Sequence, residues 1–365
     1  MDRGHIRPIT SLRGIAAVYV LLHHLLVYYL KDVGLGLSEY TFLIHNGYLW
    51  VDFFFILSGF LLALLYHEGI ADKSLPVSHF LIRRISRIYP LHLAILVLFF
   101  LMQLALFLKG NGDAFSDQFR LVDFLRSLLL VHAVQSDPFF TPWNGPSWSI
   151  SAEWCAYLLF PWLVVLVFKL RSRLAVGLFW VVGFVALTGV ASVTPRQLDL
   201  TGYLGLLRCF IEFSMGIMLY STVYRSGYAG RWLARSGVQL LLFAGLLLSL
   251  HFEGMDVFSV MLMVLVISSV SERETRVTRF LSHPWLFYLG TISYSIYMVH
   301  WLIFALVDKS ARLFLGIEVR EFVTWGGNVS VGLLCLLLVF LASVICFHVI
   351  EEPFRKRIPR MLGIA

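Results

Sequence analysis

Ten apolar runs, most of them near the length of a bilayer crossing, constrain this chain more than any other feature. They are Gly14–Leu30, Tyr48–Tyr66, Leu91–Leu108, Ile150–Phe168, Leu174–Val193, Tyr203–Val223, Gly237–Phe252, Val257–Val270, Trp285–Val307 and Val329–Ile350. A helix needs about 20 consecutive apolar residues to cross the hydrocarbon. Lipid offers no partner for an unpaired backbone group, so such segments must be helical. The seventh and eighth runs are short and are expected as two thin or tilted spans, or as a re-entrant pair. Composition agrees: 59% of the 365 residues are hydrophobic and 14% charged, against roughly a quarter charged in a soluble domain. A soluble protein this apolar could not cover its surface with polar groups. That excludes a cytosolic enzyme, a nucleic-acid binder and a disordered scaffold. The expected fold is all-α, a polytopic membrane protein of about ten transmembrane helices forming one domain over residues 1–365.

The net charge of +7 matters through its placement, because Lys and Arg collect on the cytoplasmic side of a membrane. With the N-terminus inside, the inner segments hold 20 of the 29 Lys and Arg residues and the outer ones 8, with Arg208 within a span. That split predicts both termini in the cytoplasm. The first run follows a basic start, as in a signal peptide. It ends at Lys31-Asp32 without a small-residue cleavage site and contains two histidines, so a retained helix is expected. Cys155, Cys209, Cys335 and Cys346 all fall in apolar runs and form no CxxC pair, and the twelve histidines include no HExxH. No disulfide framework and no metal site are expected. No internal repeat or linker is evident, and with 15 residues after the last run no appended soluble domain is expected. The loop from Lys109 to about Ser149 is rich in turn residues and aromatics (Asp137 to Pro146). It reads equally as a lid or sugar-stacking platform and as a Pro-rigidified connector.

An ionisable side chain in the hydrocarbon costs about 2.5 kcal/mol or more, so each one is a functional suspect. His24 sits in the middle or outer half of the first run. Arg13 lies eleven residues earlier, close to three full turns, which puts both on nearly one helix face about 16 Å apart. His23 points about 100° away and reads as the packing member of the pair. Arg83, Arg84 and Arg87 precede the third run. Arg84 and Arg87 share a face if helical, and guanidinium groups grip phosphate bidentately; lipid-headgroup binding is the plainer reading of that cluster. Ser149, Glu153 and Tyr157 recur at i, i+4, i+8 along the fourth run, where Glu153 is suited to orient a histidine or accept from a substrate hydroxyl. Arg208 and Glu212 are spaced to pair with each other. Ser58-Gly59 suits close helix packing. His300 and the Ser/Tyr residues from Ser293 to Tyr297 form a polar stripe, and Glu351-Glu352-Pro353 is expected to end the tenth span.

Taken in order, these segments resemble the acyltransferase-3 family of integral membrane acyltransferases. The matching pieces are Arg13 with ten residues to His24; Val51-Asp52-Phe53-Phe54-Phe55-Ile56-Leu57-Ser58-Gly59-Phe60; Arg84-x-x-Arg87 before Tyr89-Pro90; Ser147-Trp148-Ser149-Ile150-Ser151-Ala152-Glu153; the stretch from Leu289 to His300; and Glu351-x-Pro353-Phe354. The resemblance spans essentially the whole chain. It implies a ten-helix domain in the bacterial inner membrane that moves an acyl group, usually acetyl, from cytoplasmic acyl-CoA to a sugar hydroxyl of an envelope or exported glycan. It also implies functional roles for Arg13, His24, Arg84 and Arg87. Some members fuse a periplasmic SGNH hydrolase-like domain. This chain resembles the standalone form, which would act alone or with a separate periplasmic partner.

The expected mechanism places acyl-CoA, as co-substrate, on Arg83, Arg84 and Arg87, with Arg13 guiding the thioester arm inward. His24 would act as general base on the hydroxyl of a glycan or lipid-linked saccharide or carry the acyl group as an acyl-imidazole, with Glu153 fixing its tautomer. No metal and no nucleic acid enter, and membrane lipid is the surrounding partner. Three other readings remain: the same chemistry on a secondary metabolite, a proton-coupled transporter using His24 and Glu153, and a structural part of a glycan-assembly complex. Neither an inverted repeat nor matching broken helices favours the transporter.

Overall fold

Apolar runs in lipid satisfy their backbone only by hydrogen bonding within the segment, and the structure shows the result. The computed structural model describes residues 7–30, 41–139, 141–224, 230–271, 274–317, 319 and 325–364. Helices dominate, and no strand occurs among the described residues. The main elements are α1 (Arg7–His23), continued by a π-helical turn (His24–Tyr29); α2 (Trp50–Ala71); α3 (Val77–Leu108); α4 (Leu121–Leu128), a short helix in the long loop; and α5 (Trp148–Lys169). Next come α6 (Arg173–Ala191), α7 (Gly202–Leu219), α8 (Ser236–His251) and α9 (Asp256–Val270). The last are α10 (Pro284–Thr291), α11 (Ser293–Leu315), α12 (Trp325–Cys346) and α13 (Glu352–Met361), with a π-helical turn (Phe347–Glu351) joining α12 to α13.

All ten expected runs contain helix. Among the described residues seven helical stretches are long and apolar enough to cross a membrane. The pair α10–α11, bent by 61°, makes an eighth if counted as one span. The seventh and eighth runs are the short helices α8 and α9, of 16 and 15 residues. Arg3, Lys31, Asp32, Arg225, Arg273 and Arg320, used above in the charge and signal-peptide readings, lie outside the described residues, as do Phe140 and Ala365.

Helices outrun their apolar stretches in several places, and at two of them this bears on the expectations above. α3 begins at Val77, well before the apolar run at Leu91, so the Arg83–Arg87 cluster is helical and the helix continues through Pro90. Hydropathy marks only the part of a helix that meets lipid, not where its backbone ladder starts. The chain also does not stop at Glu351-Glu352-Pro353. It passes through the π-helical turn into α13, and Pro353 sits in the first turn of that helix, where its missing N–H costs little.

One of the tightest contacts in the core is the seam between α2 and α7. A Cβ on Gly59 would land on the carbonyl oxygen of Phe213, and one on Gly216 on that of Ile56. Small residues are what let helix backbones approach this closely, which gives Gly59 the packing role expected of it. Gly216→Ala forces the two backbones apart and should cost about 1–3 kcal/mol, the usual penalty of overpacking. Thermal unfolding of the purified variant in detergent checks this; an unchanged midpoint would contradict the seam as described.

The long loop resolves in favour of a connector at Trp143. This side chain is 1% exposed, is packed by Phe100, Phe115, Phe119 and Phe124, and donates from Nε1 to the Arg120 carbonyl at 3.1 Å. It has no free face for a sugar ring.

Candidate active site

The polar residues of five helices converge on one cavity, of about 860 Å³ with its open mouth included. Its polar lining comprises Arg13 of α1, Ser58 of α2, Arg84 and Arg87 of α3, Ser149, Glu153 and Tyr157 of α5, and Ser293, Tyr294 and Tyr297 of α11. The apolar walls come mainly from α2, among them Phe54, Phe55 and Leu61. The i, i+4, i+8 spacing of Ser149, Glu153 and Tyr157 therefore does place three polar groups on one wall. The three-residue spacing of Arg84 and Arg87 likewise puts both on another.

Charge in this cavity is unbalanced. Three guanidinium groups face one carboxylate. Among the described residues neither Arg13 nor Arg87 has a carboxylate within ion-pair distance. Arg84 donates from Nη2 to the Tyr66 hydroxyl at 2.7 Å and lies 5.1 Å over that ring, while its Nε is buried with no hydrogen-bond partner among the described residues. A buried donor left open in this way is one that an anionic ligand would satisfy. Tyr157 bonds to the Ser58 hydroxyl at 3.3 Å. Tyr297 donates to the Pro146 carbonyl at 2.9 Å and lies 2.7 Å from the Ser149 hydroxyl. Glu351 is buried beside the cavity, accepting from Ser295 at 2.7 Å.

Arg83 and His24 lie outside this lining. Arg83 donates to the Ile364 carbonyl at 3.0 Å and so ties the C-terminal tail to the start of α3. His24, at the start of the π-helical turn, is half-buried. Its Nδ1 is 3.1 Å from Nε2 of His300, and among the described residues no hydrogen bond joins it to Glu153. The rings of His24 and His300 are stacked at 5.0 Å, with Trp301 edge-on at 5.5 Å. His300 in turn lies 5.9 Å from the ring of Tyr297, a residue of the cavity lining. His23 is the packing member, as expected: it is buried, with Nδ1 2.8 Å from the Ile44 carbonyl oxygen.

Arg208 does not pair within its own helix. Its Nε is 3.2 Å from Asp52 Oδ1 on α2, and all of Asp52, Arg208 and Glu212 are buried. Sequence reasoning missed Tyr66 as the anchor of Arg84 and His300 as the partner of His24. Tyr66 gave no signal beyond closing an apolar run. His300 was visible only as one member of a polar stripe.

A family model described as an acyltransferase domain matches residues 8–348, a range that contains all the cavity residues above. The chain belongs to the acyltransferase-3 family. This acyltransferase is 28% identical over 386 residues to "Acyltransferase MdmB" of Streptomyces mycarofaciens, covering 98% of this chain and 93% of that one. It is 25% identical over 412 residues to "Peptidoglycan O-acetyltransferase OatA" of Listeria monocytogenes, covering 97% of this chain but 56% of the relative. A third relative, "Protein 2 in picA locus" of Rhizobium radiobacter, is 29% identical over 154 residues, covering 40% of this chain and 73% of that one. No solved structure matches. The family and the apolar helices together make the protein an integral membrane acyltransferase of the O-acylating kind.

Proposed function

We propose that this acyltransferase takes an acyl group, acetyl first, from cytoplasmic acyl-CoA and places it on a hydroxyl of an envelope or exported glycan or of a lipid-linked saccharide, in a bacterial inner membrane with both termini inside. The observation that carries the donor half is the cavity with three arginines against one carboxylate. Coenzyme A is polyanionic, and a partly desolvated guanidinium cluster attracts phosphate strongly. Arg84 and Arg87 hold the phosphates, Arg13 lines the path inward, and the pantetheine arm lies against the apolar α2 wall with its thioester toward Tyr297. The acceptor oxygen attacks the thioester carbonyl, His24 takes the hydroxyl proton, the C–S bond breaks, and the CoA thiolate takes that proton back from His24 and leaves as the free thiol. Arg83, engaged with the C-terminal tail, plays a lesser part than its two neighbours.

The test is acceptor-dependent release of free CoA from acetyl-CoA by purified protein. The panel holds N-acetylhexosamine oligosaccharides, polyprenyl-linked saccharides and hydroxylated small molecules. Acceptor-dependent thiol release is expected. A transporter or a structural subunit releases none, and turnover on small molecules alone moves the acceptor to the secondary-metabolite class. Within the same assay Arg84→Ala or Arg87→Ala should raise KM for acetyl-CoA by about tenfold or more, the loss of one charge-assisted contact worth about 1.5–3 kcal/mol, with a smaller change in kcat. Unchanged KM in both variants would remove the donor assignment.

A further inference from the structure

The hydrogen bonds around His24 determine which of its nitrogens is free. His300 Nδ1 lies 3.2 Å from the Ile296 carbonyl oxygen. A carbonyl only accepts, so this nitrogen carries the proton. A neutral imidazole has one N–H, which leaves Nε2 of His300 as a lone pair. That lone pair faces His24 Nδ1 at 3.1 Å, so His24 must donate from Nδ1. Its own Nε2 is then unprotonated and available as a base.

Everything else around the two rings fits a held imidazole. Tyr28, Trp301 and His23 pack against His24 with ring centroids 5.8, 5.5 and 5.2 Å away. Phe304 packs on His300 at 5.6 Å. His300 itself is fully buried, so it has no access to a substrate and can act only through its neighbour.

We infer that His300 is a positioning residue: its Nε2 lone pair holds His24 in the Nδ1–H tautomer and so presents Nε2 of His24 to the acceptor hydroxyl. This takes over the orienting role that the spacing along the fourth run suggested for Glu153, which instead lines the arginine cavity. The inference rests on the reading of His24 as the general base.

The experiment compares His300→Phe and His300→Leu, which offer no lone pair to His24, with His300→Gln, whose amide oxygen can accept from Nδ1. His24→Ala is the reference. Each is assayed for CoA release from acetyl-CoA with the member of the panel above that turns over fastest, and each is checked for a wild-type elution profile and thermal midpoint. Loss of an orienting partner to a functional histidine costs about 10–100-fold, and a wrong tautomer more. The expected result is a fall in kcat of about 100-fold for the Phe and Leu variants at unchanged KM for acetyl-CoA, with the Gln variant restored to within about tenfold of wild type. If His24→Ala is inactive but a folded Phe or Leu variant keeps wild-type kcat, or a folded Gln variant is as slow as both, the positioning role is wrong while the base assignment stands. If His24→Ala keeps wild-type activity, the base assignment itself fails.

Discussion

His24→Ala should lower kcat by about 10²–10⁴-fold, the range that a positioned general base contributes, and leave the affinity for acetyl-CoA unchanged. The separation follows from geometry. The arginines proposed to hold the donor line a cavity whose lining does not include His24, while His24 contacts His300, which in turn adjoins Tyr297 of that lining. Removing the imidazole therefore deletes the proposed proton acceptor and leaves the arginine cavity intact. Replacing Arg84 does the reverse. Turnover measured as CoA release, beside binding of acetyl-CoA measured by titration calorimetry, reads the two quantities independently. A variant that binds acetyl-CoA as wild type and releases no CoA supports the assignment. Wild-type turnover ends it, and a parallel loss of binding would mean that His24 shapes the donor pocket instead of acting on the acceptor. Isotopically labelled acyl group trapped on the wild-type protein would select the acyl-imidazole route over direct transfer.

Much of this site was legible in the amino-acid order because helical periodicity is local. The spacing from Ser149 to Tyr157 and from Arg84 to Arg87 needs only 3.6 residues per turn to become a shared face, and in the structure both sets face one cavity. What could not be read was which faces meet. His24 and His300 are 276 residues apart in sequence, and nothing in either helix names the other. Arg208 shows the same limit in sharper form. An i, i+4 pairing with Glu212 looked sufficient, yet tertiary packing set Asp52 of α2 against the same guanidinium. The aromatic loop was left open for another reason. Composition describes Trp143 as a potential stacking surface, but a ring that large in a loop over a bundle is more stable under four phenylalanines than facing water. Tyr66 was passed over because a tyrosine closing an apolar run is common at a membrane interface. Only the helical start of α3 at Val77, which apolarity does not mark, brings Arg84 beside it.

Arg208→Met should destabilise the protein by about 3–5 kcal/mol, the cost of leaving a buried charge without its partner. Asp52 and Glu212 are both fully buried, and Arg208 is the cation set against them. Its guanidinium also lies 5.3 Å over the ring of Trp148, a stacked placement that the compact ammonium of lysine does not reproduce. With Arg208 gone, two carboxyl groups face each other in a buried seam, and at least one must take up a proton or draw water between α2 and α7. These residues lie on the same seam that Gly59 and Gly216 close, so opening it shifts Phe54, Phe55 and Ser58, which α2 contributes to the cavity. Activity should therefore fall with stability, in contrast to His24→Ala, which removes activity alone. A triple replacement distinguishes a missing charge partner from lost packing. If charge is the cause, Arg208→Met with Asp52→Leu and Glu212→Leu recovers most of the thermal midpoint, since apolar groups of similar volume often replace a buried ion cluster without loss. If the triple variant is no more stable than Arg208→Met, the side chain acts through its volume and its contact with Trp148, and the electrostatic account of the seam is wrong.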